Sequence, residues 1–266
     1  MKTDKREMMW IPFLSLLKKE TKRFFRVIGQ TLLVPLVNST LYLLIFGVSL
    51  GKSIQVGGVN SYLAFLIPGL VMMGVLNNAF QNSSSSIGTS KFHGDLEDLK
   101  ISPLRAWQIV WALGIGGLIR GLLVGCVTFS IGEVFYYIQM GELLPISNPF
   151  LLLFFLFLGG LSFSFLGISI AFHAKSIDQL SAITGFILLP LMYLGGVFFP
   201  LDQLHSFWRS VSQINPMLYF INGVRYGILS IGDIPVLLAL FVAFLTTLIT
   251  YLIALRVVRT GNYSRW

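Results

Sequence analysis

Charged residues are scarce in this sequence. Asp, Glu, Lys and Arg make up 11% of the 266 residues, where a soluble domain carries about 25%, so the chain cannot cover a water-facing surface. Cysteine is nearly absent. Cys126 stands alone inside an apolar run, which rules out an internal disulfide and matches no metal-ligand spacing. The three histidines, His93, His173 and His205, fall in different breaks between apolar runs, so no metal site is expected. The carboxylates are mostly loop residues and form no constellation with a base, so no catalytic residue is assigned and the chain is not expected to be an enzyme. A cleavable leader is also missing: eight basic residues lie in the first 26, with no short apolar core and small-residue cleavage site. The first hydrophobic helix is therefore expected to stay in the protein as its own insertion signal.

One nucleotide motif is incomplete. Gly47-Val48-Ser49-Leu50-Gly51-Lys52-Ser53 has three residues between its first glycine and the Gly-Lys pair, where a phosphate-binding loop needs four. It also ends an apolar run instead of following a strand. The chain is expected to bind no cofactor and to hydrolyse no ATP by itself.

What the sequence has in abundance is apolar length. Hydrophobic residues make up 55% of it, and the mean hydropathy is +0.79. Runs of about 20 apolar residues match the length a helix needs to cross about 30 Å of hydrocarbon. They do not alternate with polar residues as barrel strands do. The expected fold class is therefore an all-α integral membrane protein with six transmembrane helices, at 27–50, 62–81, 109–137, 148–172, 179–199 and 235–255. Before the first span, residues 10–28 alternate Trp10, Phe13, Leu14, Leu17, Phe24 and Phe25 with Lys18, Lys19, Lys22 and Arg23 at helical spacing. That is a basic amphipathic helix suited to the membrane surface. Before the last span, 217–231 is apolar but broken by Asn222, Gly223 and Arg225, and reads as a re-entrant or interfacial helix within a 201–233 region.

The net charge of +8 does not signal nucleic acid, because it is concentrated at the start of the chain and in short breaks. Six spans place fifteen Lys and Arg on one side: eight at the N-terminus, then Lys91, Lys100, Arg105, Lys175, Arg256, Arg259 and Arg265. Lys52, Arg209 and Arg225 fall on the other. The positive-inside rule puts both termini in the cytoplasm.

Arg120 is the one basic residue deep in a span. Burying an unpaired charge there costs several kcal/mol, so it should face protein or water. It reads either as a residue of a cavity or subunit interface, or as a structural pair or snorkelling side chain. Gly117, Gly121 and Gly125 recur every fourth residue beside it and form a smooth face for close helix packing.

Three segments carry a resemblance: Pro68-Gly69-Leu70; Lys91-Phe92-His93-Gly94-Asp95-Leu96-Glu97-Asp98-Leu99 with Ser102-Pro103-Leu104; and Leu194-Gly195-Gly196-Val197-Phe198-Phe199-Pro200-Leu201 with Trp208, Asn215-Pro216, Tyr219 and Arg225-Tyr226-Gly227. Together, in this order, the chain resembles the membrane subunits of ABC-2 type exporters, bacterial inner-membrane permeases among them. Asp95 and Gly195 replace the threonine and serine often seen at those places. The resemblance implies a homodimer of six-helix permeases on two separate ATP-binding cassette subunits, which carry the ATP and Mg. It implies that 10–28 is an interface helix and 88–104 a coupling loop. Within that loop a short helix at 96–101 ends before Pro103. Glu97 and Lys100 share one face of it, leaving Leu96 and Leu99 to pack into a cleft on the partner. Arg120, Gly117 and Gly121 are expected on the translocation path or at the dimer interface, and the substrate does not carry over. The alternative is a secondary transporter or channel, which needs no ATPase; it would favour internal repeats and midplane ionisable residues, of which only Arg120 and Glu133 are candidates.

Overall fold

The computed structural model describes residues 5–49, 51, 61–261 and 263, with side chains from residue 10 onward. Lys2, Lys52 and Arg265 of the charge count lie outside the described residues, as do Leu50, Lys52 and Ser53 of the incomplete phosphate loop. Among the described residues the chain is helical and has no strand. Its helices are α1 (Lys5–Phe25), α2 (Ile28–Ser49), α3 (Tyr62–His93), α4 (Leu96–Ile101), α5 (Ala106–Met140), α6 (Pro149–His173), α7 (Ile177–Val197), α8 (Ser206–Ile214), α9 (Pro216–Leu229) and α10 (Val236–Thr260). Six of them, α2, α3, α5, α6, α7 and α10, are long and apolar enough to cross a membrane.

Local chemistry sets the boundaries. Ser61 caps α3 by accepting from Leu63 N at 3.2 Å, and Asn215 caps α9 by accepting from Met217 N at 3.1 Å. Pro149 and Pro216 occupy the first turns of α6 and α9, where a missing N–H costs nothing. Gly94 and Gly141 stop α3 and α5 in the left-handed region, at φ of 87° and 77°.

α3 differs most from expectation. The sequence puts its end near Gln81, at the polar run Asn82-Ser83-Ser84-Ser85-Ser86, but the helix continues to His93, about 18 Å further at 1.5 Å per residue. The polar run stays helical because its hydroxyls find partners. Ser83 Oγ donates to Leu113 O at 3.2 Å, and Ser86 Oγ donates to Glu20 Oε1 at 2.9 Å. The first six residues of the expected 88–104 loop are thus helix.

α3 is the buried axis of the bundle and packs chiefly on α5 and α6. The outward faces carry large apolar side chains: Phe150, Phe186 and Leu237 are 90%, 84% and 80% exposed. Such a surface suits hydrocarbon, since water-exposed apolar patches of that extent are rare in soluble proteins. Between α7 and α10 the chain makes a hairpin of α8 and α9. Asn215, at its apex, donates from Nδ2 to Leu191 O at 2.6 Å. Leu191 lies six residues before the end of α7, so the apex dips about 9 Å below that end. At its other end α9 meets the start of α6, where Asn148 N donates to Gly227 O at 2.7 Å.

Candidate functional site

One side of the bundle is open. A groove of about 810 Å³ runs between α2, α3 and α7, with α5 forming its floor. On α3 it extends from Leu70 to Ser85, about 22 Å of helix and so most of a hydrocarbon thickness. Asn38, Asn77, Asn78, Gln81, Ser84 and Ser181 give it a polar lining, while Val34, Leu70, Met73 and Leu189 supply apolar patches. Across its floor Ser39 Oγ and Thr128 Oγ1 lie 3.2 Å apart and join α2 to α5. At one end Tyr42 Oη and Tyr193 Oη are 3.2 Å apart and bridge α2 to α7.

Arg120 reaches the groove from near the middle of α5, and its Nε is buried without a hydrogen-bond partner. Gly117 and Gly121, placed beside it on the path or at a dimer interface by the sequence, point elsewhere. A Cβ on Gly117 would lie 2.3 Å from Ser164 Oγ and 2.8 Å from Ala79 O. A Cβ on Gly121 would lie 2.8 Å from Val75 O. Both glycines are buried against α3 within the chain. The close packing that their spacing signals is used there, and it turns Arg120, on another face of the same helix, into the groove.

Where α1 meets α3 a second polar cluster forms. Glu20 is buried and lies 3.4 Å from Arg23 Nε, and Arg23 Nη2 donates to Asn82 O at 2.6 Å and to Asn82 Oδ1 at 3.1 Å. Phe13 and Leu16 of α1 pack with Ile87, Leu96 and Ile109. α4 sits on this assembly. Leu96 is fully buried in the chain's own core, and Leu99 packs partly against it. These two leucines therefore anchor α4 to its own chain and do not project from it. Glu97 and Lys100 are exposed, and so is Ile101 at 84%. Ile101 went unremarked in the sequence because an apolar residue in an apolar chain carries no signal. Lys91, counted there as a loop charge, is buried on α3 and donates from Nζ to Phe172 O and to Ala174 O at 3.3 Å.

At the opposite end of the bundle the structure brings together residues of the 201–233 region to which sequence reasoning gave no role. Arg225 is buried, its Nη2 donates to Gly196 O at 2.7 Å, and its Cζ lies 3.7 Å from the centre of the Phe65 ring. Asp233 Oδ2 is 3.8 Å from Nη1. Asn222 joins the same knot, accepting from Asp233 N at 2.8 Å and donating to Ile234 O at 3.0 Å. The residues that interrupt the 217–231 run are thus the ones that fasten α9 to α3, α7 and the start of α10. Glu133, the other midplane candidate, instead accepts from Leu144 N at 3.1 Å and holds the α5–α6 connection. No group of His, Cys, Asp and Glu among the described residues could hold a metal.

Comparison with known proteins gives a consistent match. The family model for the ABC-2 type transporter matches residues 12–229. The inner membrane transport permease YadH of Escherichia coli (strain K12) is 36% identical over 256 residues, which cover 96% of this chain and 98% of that protein. Nodulation protein J of Rhizobium leguminosarum bv. trifolii is 28% identical over 73% of this chain and 72% of its own length. The putative transport permease ycf38 of Cyanophora paradoxa is 26% identical over 74% of this chain and 67% of its own.

Proposed function

The chain belongs to the ABC-2 type transporter family, and from that premise we propose that it is the membrane-spanning permease of an ATP-driven exporter. Two copies face each other across their grooves to form the translocation path. Two separate ATP-binding cassette subunits supply ATP and Mg. The assembly sits in a bacterial inner membrane with both termini in the cytoplasm, embedded in lipid and without nucleic acid.

The observation that carries this reading is the open polar groove. Amides, hydroxyls and a guanidinium over about 22 Å of helix would be costly against lipid tails, where unpaired polar groups find no partner. A second copy covers them and leaves a hydrated passage. Arg120 then lines the path, while Gly117 and Gly121 hold α5 close to α3. α1 lies along the cytoplasmic membrane surface as the interface helix, with Lys18, Lys19 and Lys22 outward. α4 couples the permease to the ATPase: Leu96 and Leu99 fix it to the bundle, and Glu97, Lys100 and Ile101 meet the partner. ATP binding to the partner favours one arrangement of the dimer over the other by its differential affinity for the two.

The test is composition. The tagged chain, co-expressed with candidate ATP-binding cassette subunits from the same organism and extracted in mild detergent, should give a native mass of two permeases and two ATPase chains. A permease that purifies without any ATP-binding chain, from cells that express one, contradicts the proposal.

A further inference from the structure

The groove has a charge of one sign only. Among the described residues Arg120 is the single cationic side chain on its wall, and no carboxylate lines it. The other nearby arginine already has a counter-ion, since Arg23 pairs with Glu20 and bonds to Asn82 and Ser85. Asp178, in the first turn of α7, is exposed and is not part of the wall. Arg120 thus offers a guanidinium at mid-helix with no counter-ion among the described residues of its chain.

Its level is fixed by its neighbours. Gly117 packs on Ala79 and Ser83, and Gly121 on Val75 and Ala79, so Arg120 stands level with the α3 turn that carries Asn78 and Gln81. Amide donors and acceptors therefore flank the guanidinium. Towards the other end, past the level where Ser39 and Thr128 meet beside Gly74, the wall carries the apolar Leu70 and Met73. We infer that this groove selects an amphiphile with an anionic head, a carboxylate, phosphate or sulfate held by Arg120, whose uncharged polar part meets the Asn78–Gln81 turn and whose apolar part lies along Leu70 and Met73. A guanidinium binds such an oxyanion through paired N–H groups. Between protein walls the effective dielectric is below that of bulk water, so the attraction exceeds its value in open solvent. The inference rests on the groove being the translocation path, but the binding itself needs no ATPase.

The probe is 11-(dansylamino)undecanoic acid, compared with its uncharged methyl ester, on the full chain in zwitterionic lipid nanodiscs. The acid should bind at least tenfold more tightly than the ester. Arg120→Gln should remove that preference and leave ester binding unchanged, while Arg120→Lys keeps most of it. Acetate in excess should not displace the acid, because it lacks the apolar part. If Arg120→Gln does not fold, Gln81→Glu places a competing carboxylate opposite the intact arginine and must remove the preference too. Equal binding of acid and ester by the native chain, or a preference that survives these substitutions, overturns the inference. Full displacement by acetate also overturns it, by reducing the site to one for small anions. Loss of the ATPase from the purified assembly would sink the exporter reading and leave these binding results standing.

Discussion

Single residues carry much of this structure, and they differ in how plainly the sequence showed them. The Gly117–Gly121–Gly125 spacing signalled close packing, yet its target needed the structure, because a small-residue face fits equally against a second copy or another helix of the same chain. A Cβ on Gly117 would crowd the Ser164 and Ser83 hydroxyls at 2.3 and 2.6 Å and the backbone oxygen of Ala79 at 2.8 Å, and only the hydroxyls can turn aside for Gly117→Ala. It should cost about 1–3 kcal/mol through overpacking and lower the thermal midpoint in detergent. Gly29→Ala, with nothing within 4 Å, should leave the midpoint unchanged. Arg225 illustrates the opposite case. Its charge made 217–231 look too polar to cross the membrane but said nothing of its partners, which are Asp233 and, distant in sequence, Gly196 O and the Phe65 ring.

At the scale of elements, apolar length made the six spans legible, within a few residues at most ends. The exception was α3, where serines that read as a break spend their hydroxyls on Leu113 and Glu20. The short helix α4 was legible from Gly94 and Pro103 on either side, but which of its faces is free was not. Leu96 and Leu99 look like an outward apolar pair until α1 is folded against them. This separates two kinds of variant. Leu96→Ala empties a fully buried site and should cost about 2–5 kcal/mol of permease stability, seen as a lowered thermal midpoint. Glu97→Ala with Ile101→Ala removes only exposed side chains and should leave the midpoint in place. That pair should instead weaken retention of the ATP-binding subunit during purification at least tenfold. Unchanged retention would show that α4 is not the contact.

For the whole molecule, orientation follows from basic residues, and the structure refines which of them count. Lys91 is buried on α3 and bonded to carbonyls of the α6 end, so it does not contribute a free loop charge. Even without it the bias stands at fourteen against three. In a Cys126→Ala background, Ser206→Cys on α8 should react with an impermeant maleimide added to intact cells. Lys100→Cys on α4 should react only after lysis, and the reverse pattern would invert the topology. The central claim is that two copies share one path whose shape ATP controls. Spin labels at Asn38→Cys, on the groove wall of α2 in the same background, test it by pulsed electron resonance on the reconstituted assembly. The account predicts a single distance between copies that shifts when ATP is trapped on the partner, whereas no distance between copies, or one that ATP leaves unmoved, would contradict it.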